Sequence, residues 1–366
     1  MTMVLLTPGP VEIHERVLKA LSEGIASHRS ETYRNWHCEA VERLKRISGL
    51  RDGSVYLIPG SGTTAVDAMI YSVLAPGEKV LAYIVGEFGR RAVNTMKARG
   101  LNVRLLEEPW GKAIRIERLK EALEEDSYDA VFIVHNETST GVANRTLREA
   151  AELVHKHGAI LLVDSVSGFA GERLYMDDWG VDVVATATQK CLAAPPGLGI
   201  VMVKSDVVER IEKVSKESPP PPSINLSLYE KFLAKCETPF TPPVNVVRAL
   251  VEALRLIEEE GGIEARYREQ EMRASRFYSV IDAAGLDTLA EKSARSYTVA
   301  AVRLPEGVRA PEVKKRMAEL GFEIAGGMGE YREKVVRVGL MGAINADIVE
   351  AAARSLVEII QELSRG

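Results

Sequence analysis

An α/β fold with a mostly parallel sheet, followed by a smaller α+β domain, is what the sequence predicts from three observations. Seven short apolar runs rich in β-branched residues punctuate residues 55–203. Amphipathic stretches with helical spacing separate several of them. Past about residue 260 the pattern changes to long helices interleaved with isolated strand-like segments.

The seven runs are 55–58, 80–85, 103–106, 130–134, 159–163, 183–187 and 199–203. Each is short and mostly β-branched, and reads as a strand covered on both faces. Helical patterns fall at 64–74, 91–99, 116–124 and 147–157, and Gly100 and Gly158 follow two of them as C-caps. Strand–helix alternation of this kind builds a parallel sheet. Residues 219–222 are four prolines, read as an extended surface loop. A helix over 244–260 runs into Gly261 and Gly262, a natural boundary. Beyond it come a helix at 264–284, a strand at 298–304, a helix at 311–320, a strand at 335–340 and a last helix from 346. No internal repeat is present.

The length of 366 residues suits two domains. With 46% hydrophobic and 27% charged residues the chain is of ordinary globular composition, which excludes disordered and low-complexity classes. A net charge of −5 excludes a chain-wide electrostatic grip on nucleic acid or an anionic membrane. Cys38, Cys191 and Cys236 are too few and too scattered for a disulfide framework or a thiolate metal site, which fits a reducing cytoplasm. The N-terminal stretch lacks a basic segment, and Pro8 and Pro10 interrupt it. No apolar run reaches the ~18 residues of a membrane span. The expectation is a soluble cytoplasmic protein with no nucleic-acid or membrane partner.

Open α/β sheets bind ligands beyond the carboxyl ends of their strands, and four such places carry chemistry. Pro59-Gly60-Ser61-Gly62-Thr63-Thr64 joins a strand to a helix, where glycines, hydroxyls and free amides suit a phosphate. It matches neither the dinucleotide nor the P-loop pattern, and alone it reads as readily as a tight turn. Asp164 ends Ala-Ile-Leu-Leu-Val-Asp, where a carboxylate is costly without a cation or donors, unless it simply caps a helix. Lys190 follows a strand amid apolar, Pro/Gly-rich sequence; desolvation makes such an amine a nucleophile and base, while a snorkelling surface lysine is the plain alternative. Arg337, in Val-Val-Arg-Val-Gly, is either an outward-facing strand residue or a bidentate carboxylate clamp. In this order the four describe pyridoxal 5′-phosphate (PLP) chemistry: a phosphate cup, a carboxylate for the ring nitrogen, a Schiff-base lysine and a carboxylate clamp.

With those residues in view, the chain resembles the class V aminotransferases of PLP fold type I, especially the alanine/serine–glyoxylate (or pyruvate) aminotransferases. The resemblance spans nearly the whole sequence, from Leu-Leu-Thr-Pro-Gly-Pro and Ser-His-Arg-Ser to Arg-Val-Gly-Leu-Met-Gly. Its most specific motifs are His-Asn-Glu-Thr-Ser-Thr-Gly (135–141), Val-Asp-Ser-Val-Ser (163–167) and Thr-Gln-Lys-Cys-Leu-Ala-Ala-Pro-Pro-Gly (188–197). The resemblance implies a large PLP-binding domain over 1–260, with an N-terminal arm at about 1–15, and a small C-terminal domain over 261–366. It makes Lys190 the lysine that carries the cofactor and Asp164 the partner of the pyridinium N–H. Ser61, Gly62, Thr63 and Gln189 match phosphate-binding positions, Phe88 the aromatic stacked on the ring, and Thr138 the hydroxyl aimed at the ring 3′-oxygen. Thr241 matches a phosphate ligand given to the other subunit, implying a homodimer with shared active sites. Arg337 and Gly9 match substrate-binding positions. Thr238 departs from the pattern, since close relatives often carry tyrosine there.

The reaction implied is ping-pong transfer of an amino group from alanine or serine to glyoxylate or pyruvate. An aspartate donor would need a second cation, for which Arg29 is the candidate. A 2-aminoethylphosphonate–pyruvate aminotransferase shares the Leu-Leu-Thr-Pro-Gly-Pro start. A cysteine desulfurase-like lyase shares the fold but needs a mobile cysteine, and Cys191 beside the lysine reads as buried. A non-enzymatic α/β binding protein is the remaining alternative. No metal is expected: His155 and His157 face different ways on a helix, and His28 and His37 have no ligand partners at suitable spacing.

Overall fold

The computed structural model describes residues 3–365, so the first two residues of the expected arm and the last of the expected small domain lie outside it. All seven apolar runs become strands of one sheet: β1 (Gly53–Gly60), β2 (Lys79–Ile84), β3 (Asn102–Glu107), β4 (Ala130–Val134), β5 (Ile160–Asp164), β6 (Val183–Ala187) and β7 (Gly197–Lys204). Their order is β1-β7-β6-β5-β4-β2-β3. β7 runs antiparallel to both neighbours and every other pair is parallel.

Alternate residues of each strand serve opposite faces. Leu57, Leu81, Ile133 and Val163 enter one core with the N-terminal helices Glu15–Ser22 and Glu31–Ser48 and the helix Val244–Glu259. Tyr56, Ile58, Val80 and Phe132 enter the core on the other face. β4 and β6 are buried at every position. β3, at the edge, is not: every residue along it is half-buried or exposed, because one flank has no neighbour.

The longer helices between strands are α1 (Gly62–Val73), α2 (Glu87–Ala98), α3 (Ile116–Glu125) and α4 (Leu147–Lys156), with a single turn at Met176–Trp179 before β6. α2 starts four residues before the point where its apolar periodicity begins. Gly100 and Gly158 adopt φ of +83° and +75°, the left-handed geometry that ends their helices. The fourth proline of the run opens a short 3₁₀ turn, Pro222–Ile224, and a helix at Leu226–Leu233 follows that periodicity had not signalled.

The C-terminal elements form a three-stranded antiparallel sheet, with β10 (Val335–Gly339) between β8 (Val299–Arg303) and β9 (Ala325–Gly326). Helices Ile263–Ala283, Ala310–Glu319 and Ala346–Leu363 cover it, and Phe277, Val302, Val313, Val338 and Leu356 fill the core between. The N-terminal segment joins this part. Leu6 is buried in the same core, and Val4 and Leu5 pair in parallel with Phe322 and Glu323.

One expectation needs correcting. Cys38, on the helix Glu31–Ser48, is disulfide-bonded to Cys236, with Cα atoms 5.2 Å apart across a sequence separation of 198. Long-range proximity of this kind leaves no trace in composition. No helix among the described residues is long and apolar enough to cross a membrane.

Candidate active site

The carboxyl ends of the parallel strands open on one cleft, with about 710 Å³ of atom-free space. At the end of β1, Ser61 caps α1: its hydroxyl accepts from the Thr64 amide, and Thr64 Oγ1 accepts from the Ser61 amide at 3.0 Å. This capping box fixes the first turn and leaves the Gly62 and Thr63 amides pointing out of the helix for an anion. A Cβ on Gly62 would lie 2.5 Å from Val166 Cγ1, so only glycine lets this helix start sit against the cleft wall. Gln189 joins the same wall, and its Oε1 is buried without a hydrogen-bond partner.

Asp164 stands at the end of β5, buried, with one oxygen accepting from the Val166 amide at 2.9 Å. Burial pushes its pKa up to about 7; the Val166 bond opposes the rise, and nearby Glu137 adds to it. Lys190 lies on the turn after β6, and burial pulls its pKa down to about 8. Its Nζ donates to the Pro8 carbonyl. The two charges line the same cleft without forming an ion pair. Each therefore keeps the desolvation penalty that a cationic ring nitrogen or a carbonyl carbon would relieve.

Phe88, on the first turn of α2, lines the cleft, and the Arg91 guanidinium lies 4.8 Å from its ring centroid. Thr138 is buried in the opposite wall, its hydroxyl 2.7 Å from Ser167 Oγ. Arg337 approaches from β10 behind Thr138 and does not itself line the cleft. Its Nε donates to the Gly326 carbonyl at 2.7 Å and its Nη1 to the Thr138 carbonyl at 3.2 Å. Burial lowers its pKa to about 10. No hydrogen bond within the described residues uses Nη2, which stays available to a ligand carboxylate.

The remaining predicted residues fall elsewhere. Gly9, at φ +109°, packs against the Lys190 side chain rather than lining the cleft; a Cβ there would come within 2.5 Å of Lys190 Cδ and Nζ. Thr241 is exposed and lines no part of this chain's own cleft. Thr238 is buried, donating to the Phe240 carbonyl at 2.7 Å. Arg29 is engaged: it binds Glu237 at 2.6 Å and the Thr238 carbonyl at 2.8 Å. Cys191 is buried, 3.5 Å from the Ser167 carbonyl, and burial pushes its thiol up to about 12, so it is no nucleophile.

Sequence reasoning missed Asn136, Ser167 and Arg91, all of which line the cleft. Asn136 Nδ2 donates to Ser167 Oγ at 2.8 Å and to Thr298 Oγ1 at 3.0 Å, while its Oδ1 is buried and unpartnered. The first two belong to quoted motifs, and a search for every polar residue within three positions of Asp164 or Thr138 would have found both. Taken together, the free helix start, the two buried unpartnered oxygens, the buried carboxylate of Asp164 without a salt bridge and the low-pKa amine fit a phosphorylated, cationic, aldehyde-bearing ring.

Comparison with known proteins agrees with this chemistry. The family model "Aminotransferase class-V" matches residues 4–347. The chain is 35% identical to an uncharacterized aminotransferase of Methanocaldococcus jannaschii, over 98% of this chain and 93% of that protein. It is 33% identical to the serine–glyoxylate aminotransferase of Arabidopsis thaliana, over 93% and 86% respectively. Among solved structures, the aspartate aminotransferase of Thermus thermophilus superposes with a TM-score of 0.90 at 31% identity, covering 98% of this chain and 99% of that one. The chain belongs to the class V aminotransferases and is a PLP-dependent transaminase of fold type I.

Proposed function

We propose that this transaminase moves the amino group of alanine or serine to glyoxylate or pyruvate, working as a cytoplasmic homodimer with shared active sites. The observation that carries the reading is one candidate clamp that keeps a donor free, with its other two nitrogens holding it in place. Arg337 Nη2 is free, whereas Arg29, the expected second cation, is held by Glu237. One clamp suits a donor with one carboxylate. The names of relatives point the same way: the Arabidopsis protein is a serine–glyoxylate aminotransferase.

PLP, when bound, supplies a ring that accepts electron density from the amino acid's Cα. The protein supplies the rest. The α1 start, with Ser61, Gly62, Thr63 and Gln189, holds the phosphate, and Phe88 covers one ring face. Asp164 accepts the ring N–H and keeps it protonated. Thr138 directs its hydroxyl to the ring 3′-oxygen. Arg337 binds the substrate carboxylate and thereby aims the Cα–H bond. Lys190 Nζ takes that proton and returns it. With a pKa near 8, roughly a quarter of Lys190 is free amine at pH 7.5, against about one part in a thousand for an ordinary lysine. The exposed Thr241 reaches the partner's phosphate site. Two domains meeting near Gly261 and Gly262 let Arg337 close on the substrate. The cytoplasmic location rests on the substrate class.

A second reading, aspartate as donor, is favoured by one observation. Arg91 lines the cleft beside Phe88 with its side chain about half exposed. The T. thermophilus protein is an aspartate aminotransferase. A half-reaction screen decides: each of alanine, serine, glycine, aspartate, glutamate and 2-aminoethylphosphonate is mixed with the PLP-loaded protein, and bleaching of the visible band is timed. Alanine or serine reacts fastest on the proposed reading. Aspartate ahead of both replaces the substrate and leaves the chemistry standing.

A further inference from the structure

The first turn of α2 is capped from a distant part of the chain. Gly86 stands at the N-cap and has no side chain to offer, so the amides of Glu87, Phe88 and Gly89 lack a local acceptor. Residues 49 and 52 positions further on supply one. Ser139 Oγ accepts from the Glu87 amide at 3.0 Å. The Glu137 carboxylate accepts from Phe88 at 3.2 Å and from Gly89 at 3.2 Å. Ser139 also donates to Glu137, through its hydroxyl at 2.5 Å and its amide at 3.0 Å. Every hydrogen-bond partner of this carboxylate is a donor, the bonding an ionised carboxylate requires, although the Asp164 carboxylate also lies near it. Burial raises the pKa of Glu137, and these donors oppose the rise.

Gly86 is part of the device. A Cβ there would lie 2.5 Å from Ser139 Oγ and 2.6 Å from Glu137 Cγ, so a residue able to cap its own helix cannot occupy the position. Thr138 lies between the two capping residues, and its carbonyl accepts from Arg337. Phe88 is the second residue of the helix they cap.

We propose that Glu137 is a positioning residue whose buried carboxylate locks Phe88, Thr138 and Arg337 into one register. The stacking face, the ring-directed hydroxyl and the carboxylate clamp are then set by a single contact network. The proposal rests on the roles given above to those three residues.

Glu137→Gln tests it, because it keeps the shape, removes the charge and turns one acceptor into an NH₂ facing helix amides. Three changes are expected. Hydrogen exchange at residues 87–89 of the cofactor-free protein accelerates at least about tenfold. The PLP Kd rises about 10- to 100-fold, the range for losing a charge-assisted hydrogen bond. The visible circular-dichroism band of the bound cofactor, which reports its asymmetric packing, shrinks. Ser139→Ala should show smaller changes of the same kind, and it serves if Glu137→Gln does not fold. Wild-type exchange in both variants, with Kd and dichroism within twofold, overturns the proposal. Faster exchange with unchanged Kd and dichroism makes Glu137 a helix cap only, and overturns it too. Failure of the wild-type protein itself to take up PLP would instead sink the underlying reading, and the proposal with it.

Discussion

Replacing Asp164 with asparagine should stabilise the cofactor-free protein while abolishing transamination. The folded chain holds this carboxyl near pKa 7 against an ordinary value of 3.8, chiefly through burial. Between those values the folded state binds more protons than the unfolded state. Stability therefore falls as pH rises through the window, and the loss is complete above pH 7. At 1.36 kcal/mol per pH unit, the ionised form is disfavoured by about 4 kcal/mol. The neutral amide of the Asp164→Asn variant would carry no such penalty, and its oxygen can still accept from the Val166 amide. The assay is urea denaturation of cofactor-free wild-type and Asp164→Asn proteins at pH 5 and pH 8. Comparing the two proteins cancels contributions they share, including those of His37 and His135, whose pKa values burial pulls down to about 4 and about 3. The variant's advantage should grow by about 3 kcal/mol between the two pH values. Adding PLP should reverse the ranking, because only the wild-type carboxylate gains a cationic partner. An advantage that does not change with pH would refute the claim that Asp164 is a strained, uncompensated charge.

Three further outcomes are expected. Arg337→Lys should lower kcat/KM for the amino donor about 10- to 100-fold through KM, with the PLP Kd unchanged, since a point charge replaces a planar fork; steady-state kinetics with a PLP titration check it. Gly9→Ala should slow PLP loading and cost about 1–3 kcal/mol, because the new methyl meets the Lys190 chain at a φ of +109°; the visible absorbance on reconstitution and a denaturation curve report both. Thiol titration of the denatured protein should find only Cys191 without reductant and all three cysteines with it, and Cys38→Ser should lose about 2–4 kcal/mol of stability.

The large sheet was legible because its strands are apolar on both faces: Val131, Phe132 and Ile133 leave no other assignment. The edge strand Asn102–Glu107 was found by the same signal, yet Asn102, Arg104 and Glu107 already marked it as half-solvated. The helix Glu31–Ser48 could have been read, since Tyr33, His37, Ala40, Leu44 and Ile47 recur at helical spacing and are among its buried residues. The start of α2 could not, because its cap is supplied by Glu137 and Ser139 and a local window contains no capping side chain. Within the site, Asp164 and Lys190 were visible as charges placed where strands end. The engagement of Arg29 by Glu237, the pairing of Cys38 with Cys236 and the packing of Leu6 on the C-terminal sheet are contacts between distant segments. Only the fold brings those segments together.

The antiparallel strand β7 has a metrical consequence. β1 ends in the phosphate cup and β6 ends in the lysine turn, and β7 is the one strand between them. Gly197 lies opposite Gly60 on one side, and Gly199 opposite Ala187 on the other. Two interstrand spacings, roughly 9–10 Å in all, thus separate the cup from the lysine turn. That distance is a property of backbone hydrogen bonding and is indifferent to the side chains of either loop. β7 acts as a gauge block, fixing how far apart the phosphate and the reactive carbon of a ligand must be for both ends to be held. Gly199 keeps the gauge true, since a Cβ there would stand 2.7 Å from the Ser61 carbonyl and push the cup out of line.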